Sequence, residues 1–147
     1  MSCTDRLRHQ QNVATIMTCH LRNLVRRHRP GDNAIAIATQ LARLLRVLRV
    51  HLAEEDEYLY PALIAIGDRN TAALAERYQA EMGSLAVNTE VFMQRWSSSA
   101  VIALNFAAFE TALDLLLGAL MARMECENAA LYPVADGLLP DLRVKAA

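Results

Sequence analysis

Two segments of the chain share a residue pattern in one register, and this repeat limits the possible folds more than any other feature. The first segment runs from His51 to Pro61 and reads HLAEEDEYLYP. The second begins 72 positions later, runs from Arg123 to Pro133, and reads RMECENAALYP. Glutamate, leucine, tyrosine and proline occupy identical places in both segments, and the leading histidine of the first is an arginine in the second. The repeat therefore predicts two equivalent helix ends in two related halves.

The composition predicts that the whole chain is helical. Its 147 residues include only 5 glycines and 4 prolines, and 54% of them are hydrophobic. Alanine and leucine outnumber valine, isoleucine and threonine, which favours helix over strand. A chain of this length can bury most of its apolar surface around one core.

Apolar residues spaced three and four apart predict four long helices, A to D. Helix A runs from a cap at Thr4 or Asp5 to about His28, helix B from a cap at Asp32 to about Ile66, helix C from about Asn70 to Trp96, and helix D from about Asn105 to Val134. We expect Pro61 to kink or break the last turn of helix B. Short connections predict an all-α, up-down-up-down antiparallel four-helix bundle. This domain spans residues 1–136, and residues 137–147 form a short tail.

One layer of the predicted bundle is polar. In antiparallel helices, residues equally far from the connecting turn lie at one level. By this count Gln10 and Gln11 lie level with His51 and Glu55, and Glu81 also lies level with Glu55. The repeat places Arg123 and Glu127 as it places His51 and Glu55. The expected layer thus consists of Gln10 or Gln11, His51, Glu55, Glu81, Arg123 and Glu127.

The carboxylates of this layer require compensating charge. Three ionised glutamates cannot stay unpaired in an apolar core, because burying each free charge costs several kcal/mol. A metal ion or a pair of metal ions could neutralise them. The Arg123 guanidinium with a protonated His51, or bound protons, could do the same.

These residues resemble the hemerythrin-like domains, also called the HHE cation-binding family. The resemblance covers about residues 5 to 136 and rests on His51-x-x-x-Glu55 running into Leu-Tyr-Pro, on the second Leu-Tyr-Pro ending, and on the four-helix layout. It implies a non-haem di-iron centre inside the bundle, with histidines from all four helices and bridging carboxylates from helices B and D. It also implies binding of dioxygen or nitric oxide, sensing of redox state or iron, or repair of metal clusters.

Carried over to this sequence, the resemblance makes His51 and Glu55 the metal ligands of helix B and Glu127 the carboxylate of helix D. Other positions depart from the family pattern. Arg123 stands at the histidine position of helix D, and a guanidinium cannot ligate a metal. Helix C offers Glu81 where a histidine is expected, and helix A offers Gln10 and Gln11.

Two hypotheses follow. In the first, His51, Glu55, Glu81 and Glu127 hold a mono- or di-iron site that binds or senses dioxygen, nitric oxide or redox state. Gln10, Gln11 and Arg123 then support the ligands or balance their charge. In the second, Arg123 replaces the charge of the metal, and the metal-free bundle is a regulatory or partner-binding module.

Charge and sequence segments bound the other functions. A net charge of −1 gives no general attraction to nucleic acid or an anionic membrane. No apolar run reaches the roughly 18 residues of a membrane span, and no signal peptide is recognised. Phosphate-loop and nucleophile motifs are missing, so hydrolase chemistry has no support, and whether the chain is another kind of enzyme is left open. We expect a cytoplasmic protein with a small gaseous ligand, without nucleic-acid or membrane partners, and with a protein partner or homodimer as an open alternative.

Overall fold

A computed structural model describes residues 2–139, and all secondary structure in that range is helical. The α-helices are α1 (Asp5–Arg27), α2 (Ile35–Glu54), α3 (Tyr60–Ile66), α4 (Arg69–Met82), α5 (Ser84–Arg95), α6 (Ser99–Leu104), α7 (Phe106–Cys126) and α8 (Tyr132–Leu138). Two π-helical segments, Glu55–Leu59 and Glu127–Leu131, connect α2 to α3 and α7 to α8. The prediction of an all-α chain is confirmed, since 2–139 contains no strand.

The two π-helical segments begin at equivalent residues of the repeat. Each precedes a proline at the second position of the next helix, Pro61 in α3 and Pro133 in α8. A proline has no N–H to donate, and its ring collides with the carbonyl oxygen four residues earlier. A wider turn relieves this collision, and the N–H of Tyr60 accordingly donates to the carbonyl of Glu55, five residues back. The chain therefore stays helical through both Leu-Tyr-Pro endings.

The predicted helix C is divided at the level of the polar layer. α4 ends at Met82, Gly83 interrupts it, and α5 begins at Ser84. The carbonyl oxygen of Met82 accepts a hydrogen bond from Nη1 of Arg123 at 3.3 Å. A side chain on another helix thus binds a backbone acceptor at the end of α4, where the regular ladder stops.

Two of the expected helix caps are wrong. The Thr4 hydroxyl does not cap α1 but donates to Asp136 Oδ1 at 2.7 Å. Asp32 lies before the start of α2, where its carboxylate accepts from the N–H of Arg29 at 2.9 Å. Asn33 instead accepts from the N–H of Ile35 at 3.1 Å, because its side chain lies closer to the first turn.

The helices enclose two apolar clusters with the polar layer between them. α1 packs on α2 and α7, α5 packs on α2 and α7, and α3 packs on α4. Leu52 and Met124 belong to the larger cluster, whereas Leu59 and Leu131 belong to the smaller one. Glu55 and Glu127 lie between these residues in the chain, so apolar side chains cover them from both ends.

The predicted domain boundary at residue 136 falls within α8, the last helix that the structure describes. α8 continues to Leu138, so the first residues of the predicted tail, 137–147, extend the helix. The remainder of that tail, residues 140–147, lies outside the described residues. None of the helices in the described range is both long and apolar enough to cross a membrane.

Candidate metal centre

Two glutamates with no solvent exposure form the middle of the site. Glu55 and Glu127 are each 0% exposed, and both are the first residue of a π-helical segment. Tyr132 donates a hydrogen bond to Glu55 Oε2 at 2.6 Å. Tyr60 donates to Glu127 Oε2 at 2.8 Å. Each tyrosine therefore binds the glutamate of the other half of the chain.

His51 lies beside this pair and is 1% exposed. Gln10 orients the imidazole. The Nε2 of Gln10 donates to Glu54, so the Oε1 of Gln10 is the atom that lies 2.9 Å from His51 Nδ1. An oxygen acceptor at this distance places the proton on Nδ1 and leaves Nε2 with a lone pair. Among the residues that the structure describes, that Nε2 has no hydrogen-bond partner, although it lies 3.2 Å from Glu55 Oε1.

Arg123 supplies the positive charge of the site and is 2% exposed. Its Nε donates to Glu127 Oε2 at 3.1 Å, and its Nη2 donates to Glu55 Oε1 at 3.2 Å. The same Nη2 also reaches Asp56 Oδ1 at 3.0 Å, toward the edge of the site. The guanidinium therefore bridges both buried carboxylates and a third, partly exposed one.

Two glutamines of α1, Gln10 and Gln11, complete the polar layer. Gln11 is 3% exposed, and its Nε2 donates to the Tyr132 hydroxyl at 2.8 Å and, more weakly, to Glu127 Oε1 at 3.4 Å. Asn128 donates to Gln11 Oε1 at 2.6 Å. Gln10 and Gln11 thus orient the histidine and a tyrosine, respectively.

Burial dominates the protonation of these groups. It raises the pKa of Glu127 to about 9, to which the neighbouring Glu55 also contributes, and it raises the pKa of Glu55. It lowers the pKa of His51 to about 4, so the imidazole is neutral at pH 7. Although burial alone would lower the pKa of Arg123, the carboxylates of Glu55 and Glu127 raise it, and the guanidinium stays charged. Glu127 Oε2 accepts two hydrogen bonds, from Tyr60 and from Arg123, and both favour the charged form of Glu127 against the effect of burial.

The structure does not bring Glu81 into this layer, so the position predicted for it by counting residues from the connecting turn is wrong. Its side chain is 58% exposed and lies 3.8 Å from Arg77 on the outer face of α4. Counting residues gives the position of Glu81 along the helix axis but not the direction of its side chain. At that position the side chain of the next residue, Met82, points inward. His9 and His20 are exposed, and His28 stacks on Phe106 with ring centroids 4.2 Å apart, so these three histidines lie outside the site.

Tyr60, Tyr132 and Asp56 belong to the site although the sequence argument did not select them. The two tyrosines stood in the repeat at equivalent places, and that equivalence was the signal available for them. Each tyrosine follows the glutamate of its own segment by five residues but binds the glutamate of the other segment, and a projection of one helix does not show a contact of that kind.

The donor set fits one cation. His51, Glu55 and Glu127 each offer a ligand atom, and these atoms lie within 4.8 Å of one another. Ligands on opposite sides of one transition-metal ion are about 4 Å apart, so small side-chain rotations would close the site. The unpartnered Nε2 of His51 is the atom that such an ion requires. A second ion would need further donors, and Arg123 occupies the position where the repeat would supply them.

Comparisons with known proteins agree with this geometry. The model of the hemerythrin HHE cation-binding domain matches residues 5–135, nearly the whole chain. No curated protein and no solved structure matches the chain. The matched range contains both halves of the repeat and all three candidate ligands, and so the chain belongs to the hemerythrin HHE cation-binding domain family.

Proposed function

We propose that this chain is a non-haem iron-binding protein whose core holds a single iron ion through His51, Glu55 and Glu127. The site would bind or sense dioxygen, nitric oxide or redox state. The observation that carries the proposal is the buried Nε2 of His51, which lies beside two carboxylates and has no hydrogen-bond partner within residues 2–139. A buried polar atom without a partner is costly, and a bound cation would satisfy it.

Iron bound here would supply one-electron chemistry and open coordination positions for a small ligand. The protein residues would prepare the site for it. Gln10 keeps the proton of His51 on Nδ1, and Tyr60 and Tyr132 hold the outer oxygens of the two glutamates. The apolar clusters above and below would exclude bulk water, which strengthens each electrostatic contact.

A single ion is favoured over two by the charge of Arg123. The guanidinium already donates to both glutamates and cannot lose its proton in a protein. We propose that it takes the place of a second cation. Glu81, which was part of the sequence-based ligand set, is not included because its carboxylate lies on the surface.

The proposed bundle and domain boundaries follow the same reasoning. The contacts of α1 with α2, of α2 with α5, of α5 with α7 and of α7 with α1 support an up-down-up-down antiparallel arrangement of four helical stretches. We also propose that the domain ends near residue 136, close to the last matched residue, 135.

The direct test is metal analysis of the full chain after anaerobic reconstitution with Fe²⁺. We expect about one iron per chain in the wild type and loss of that iron in His51→Ala, since the replacement removes the only nitrogen ligand. His20→Ala is the matched control, because His20 is exposed on α1. A wild-type protein that retains only trace iron would overturn the proposal.

A metal-free function is the second candidate, and one observation favours it. Arg123 satisfies Glu55 and Glu127 without any ion. In that case the polar layer is structural, and the domain serves as a regulatory or partner-binding module. The same reconstitution decides between the two candidates, because the metal-free protein would retain only trace iron and would melt at the same temperature with chelator and with Fe²⁺.

A further inference from the structure

We propose that Tyr132, and to a lesser degree Tyr60, limits the glutamate of the opposite half to one metal-binding oxygen and thereby selects transition metals over Ca²⁺. The inference rests on the proposed function, since it concerns the same cation site. It assigns the two tyrosines as specificity-determining residues.

Glu55 has its oxygens divided between two environments. Its Oε2 accepts from the Tyr132 hydroxyl at 2.6 Å, and within residues 2–139 no other N–H or hydroxyl group donates to it. Its Oε1 lies 3.2 Å from His51 Nε2, on the side where a cation would bind, and also accepts from Arg123 Nη2 at 3.2 Å. Tyr132 is itself 0% exposed and accepts from Gln11 at 2.8 Å, so its hydroxyl hydrogen is directed to Glu55.

The two oxygens of Glu127 also have different environments, and its Oε2 accepts two hydrogen bonds instead of one. Its Oε2 accepts from Tyr60 at 2.8 Å and also from Arg123 Nε at 3.1 Å. Its Oε1 has only the long contact of 3.4 Å to Gln11. The oxygen that remains for a cation is again Oε1.

This division restricts the number of oxygen ligands. With one oxygen from each glutamate and Nε2 of His51, the protein supplies two oxygens and one nitrogen. Ca²⁺ takes six to eight oxygens and often binds carboxylates through both oxygens, whereas iron and similar ions accept imidazole and fewer ligands. Releasing Oε2 would let a glutamate bind through both oxygens and would favour Ca²⁺.

The two tyrosines should differ in effect. Tyr132→Phe removes the hydrogen bond to Glu55 Oε2, and no other N–H or hydroxyl group in the described part of the chain donates to that oxygen. Tyr60→Phe leaves Glu127 Oε2 bound to Arg123. A role in packing alone would not predict this order, because both tyrosines are fully buried in the same apolar cluster.

The experiment titrates the full chain with Co²⁺, follows the visible absorption of the bound ion, and then competes it with Ca²⁺. We expect Tyr132→Phe to lower the preference for Co²⁺ over Ca²⁺ by about tenfold or more and to shift the absorption band. Tyr60→Phe should lower the preference less. Tyr78→Phe is the control, since Tyr78 is 6% exposed in the same cluster but binds neither glutamate.

A Tyr132→Phe protein with the preference and spectrum of Tyr78→Phe would overturn the inference while leaving the proposed function intact. A wild type that takes up no Co²⁺ would overturn both. If circular dichroism shows that Tyr132→Phe does not fold, Tyr60→Phe combined with Arg123→Met is compared with Arg123→Met alone. The double variant frees Glu127 Oε2 and should also lose about tenfold in preference, and an unchanged preference would refute the inference.

Discussion

His51 and Arg123 hold the same position in the two halves of the chain, and each contacts the glutamate four residues ahead. The distance is 3.2 Å from His51 Nε2 to Glu55 Oε1 and 3.1 Å from Arg123 Nε to Glu127 Oε2. The two halves are therefore alike in position but unequal in charge. A neutral imidazole with a free lone pair faces a guanidinium that is always charged.

Arg123→Met should destabilise the metal-free protein by about 3–5 kcal/mol, because it leaves two buried glutamates without their cation. Urea unfolding in the presence of chelator measures this loss. The control is Arg77→Met, whose side chain is 63% exposed and pairs with the exposed Glu81.

Arg123→His should increase iron affinity, since it restores a nitrogen ligand at the equivalent position of the repeat. An Arg123→His protein with unchanged iron affinity would contradict the assigned role of this position.

Glu127 should make the metal-free protein less stable as pH rises above about 6.5. Burial raises its pKa from 4.5 to about 9, so between these values the folded chain keeps a proton that the unfolded chain has lost. Each pH unit then lowers the free energy of unfolding by up to about 1.4 kcal/mol. His51 acts oppositely, because burial lowers its pKa from 6.5 to about 4, and it offsets Glu127 only below pH 6.5.

Urea unfolding from pH 6.5 to 9 in wild type and Glu127→Gln checks this dependence. The variant should show a flatter profile, since an amide does not titrate. Glu81→Gln, which changes an exposed glutamate, should retain the wild-type slope. Equal slopes in Glu127→Gln and the wild type would show that another group takes up the proton.

Asp136 should fasten the start of α1 to α8. It accepts from the Thr4 backbone N–H at 3.1 Å and from Arg8 Nη1 at 2.6 Å. Burial alone would raise the pKa of Asp136, but these hydrogen bonds lower it below its ordinary value. The stability that Asp136 contributes is therefore present above pH 3.8, its ordinary pKa, and is lost as pH falls through the lower folded value.

We expect Asp136→Asn to cost about 2 kcal/mol at pH 7, measured by urea unfolding, because it weakens hydrogen bonds to a charged group. The loss should shrink in acid, where the wild-type carboxylate is also protonated. Asp114→Asn on the exposed face of α7 should change stability little. A similar loss in both variants would argue against the fastening role.

Gln10→Ala should weaken metal binding about 10- to 100-fold with a smaller effect on stability. The substitution removes the acceptor that fixes the proton on His51 Nδ1, so Nε2 is no longer held as the free ligand atom. Competition with a metal indicator dye measures the affinity. Gln79→Ala, on the exposed face of α4, provides the comparison. Equal affinities for the two variants would show that His51 does not depend on Gln10.

The repeat carried much of the fold prediction. Its two Leu-Tyr-Pro endings fixed equivalent positions for Glu55 and Glu127, and the apolar spacing located the ends of α1 and α3 to within about a residue. The interruption at Gly83 was not predicted, because a single glycine within an apolar pattern does not reveal that its neighbour Met82 accepts from Arg123.

The position of the polar layer along the helices was easier to predict than the side chains that point into it. Counting residues from a turn located the polar layer correctly for Gln11 and Glu55, yet it placed Glu81 inside when the side chain points to solvent. Distance along a helix axis gives height, whereas rotation about that axis decides which side chain faces the core. The rotation depends on interruptions such as Gly83 and on π-helical turns, which follow from packing.

The sequence alone determined that the chain is helical and that its halves are related. It also determined that His51 and Glu55 are four residues apart and that Glu127 repeats the place of Glu55. These features depend on local periodicity and on residue identity. Only the tertiary structure decided that Tyr60 and Tyr132 cross between the halves and that Arg123 bridges both glutamates. The pair of Arg123 with Glu127 is local. The hydrogen bonds of Tyr60 with Glu127, of Tyr132 with Glu55 and of Arg123 with Glu55 join residues that are 67, 77 and 68 positions apart in the chain. Such distances along the chain are closed by helix packing, which no local pattern specifies.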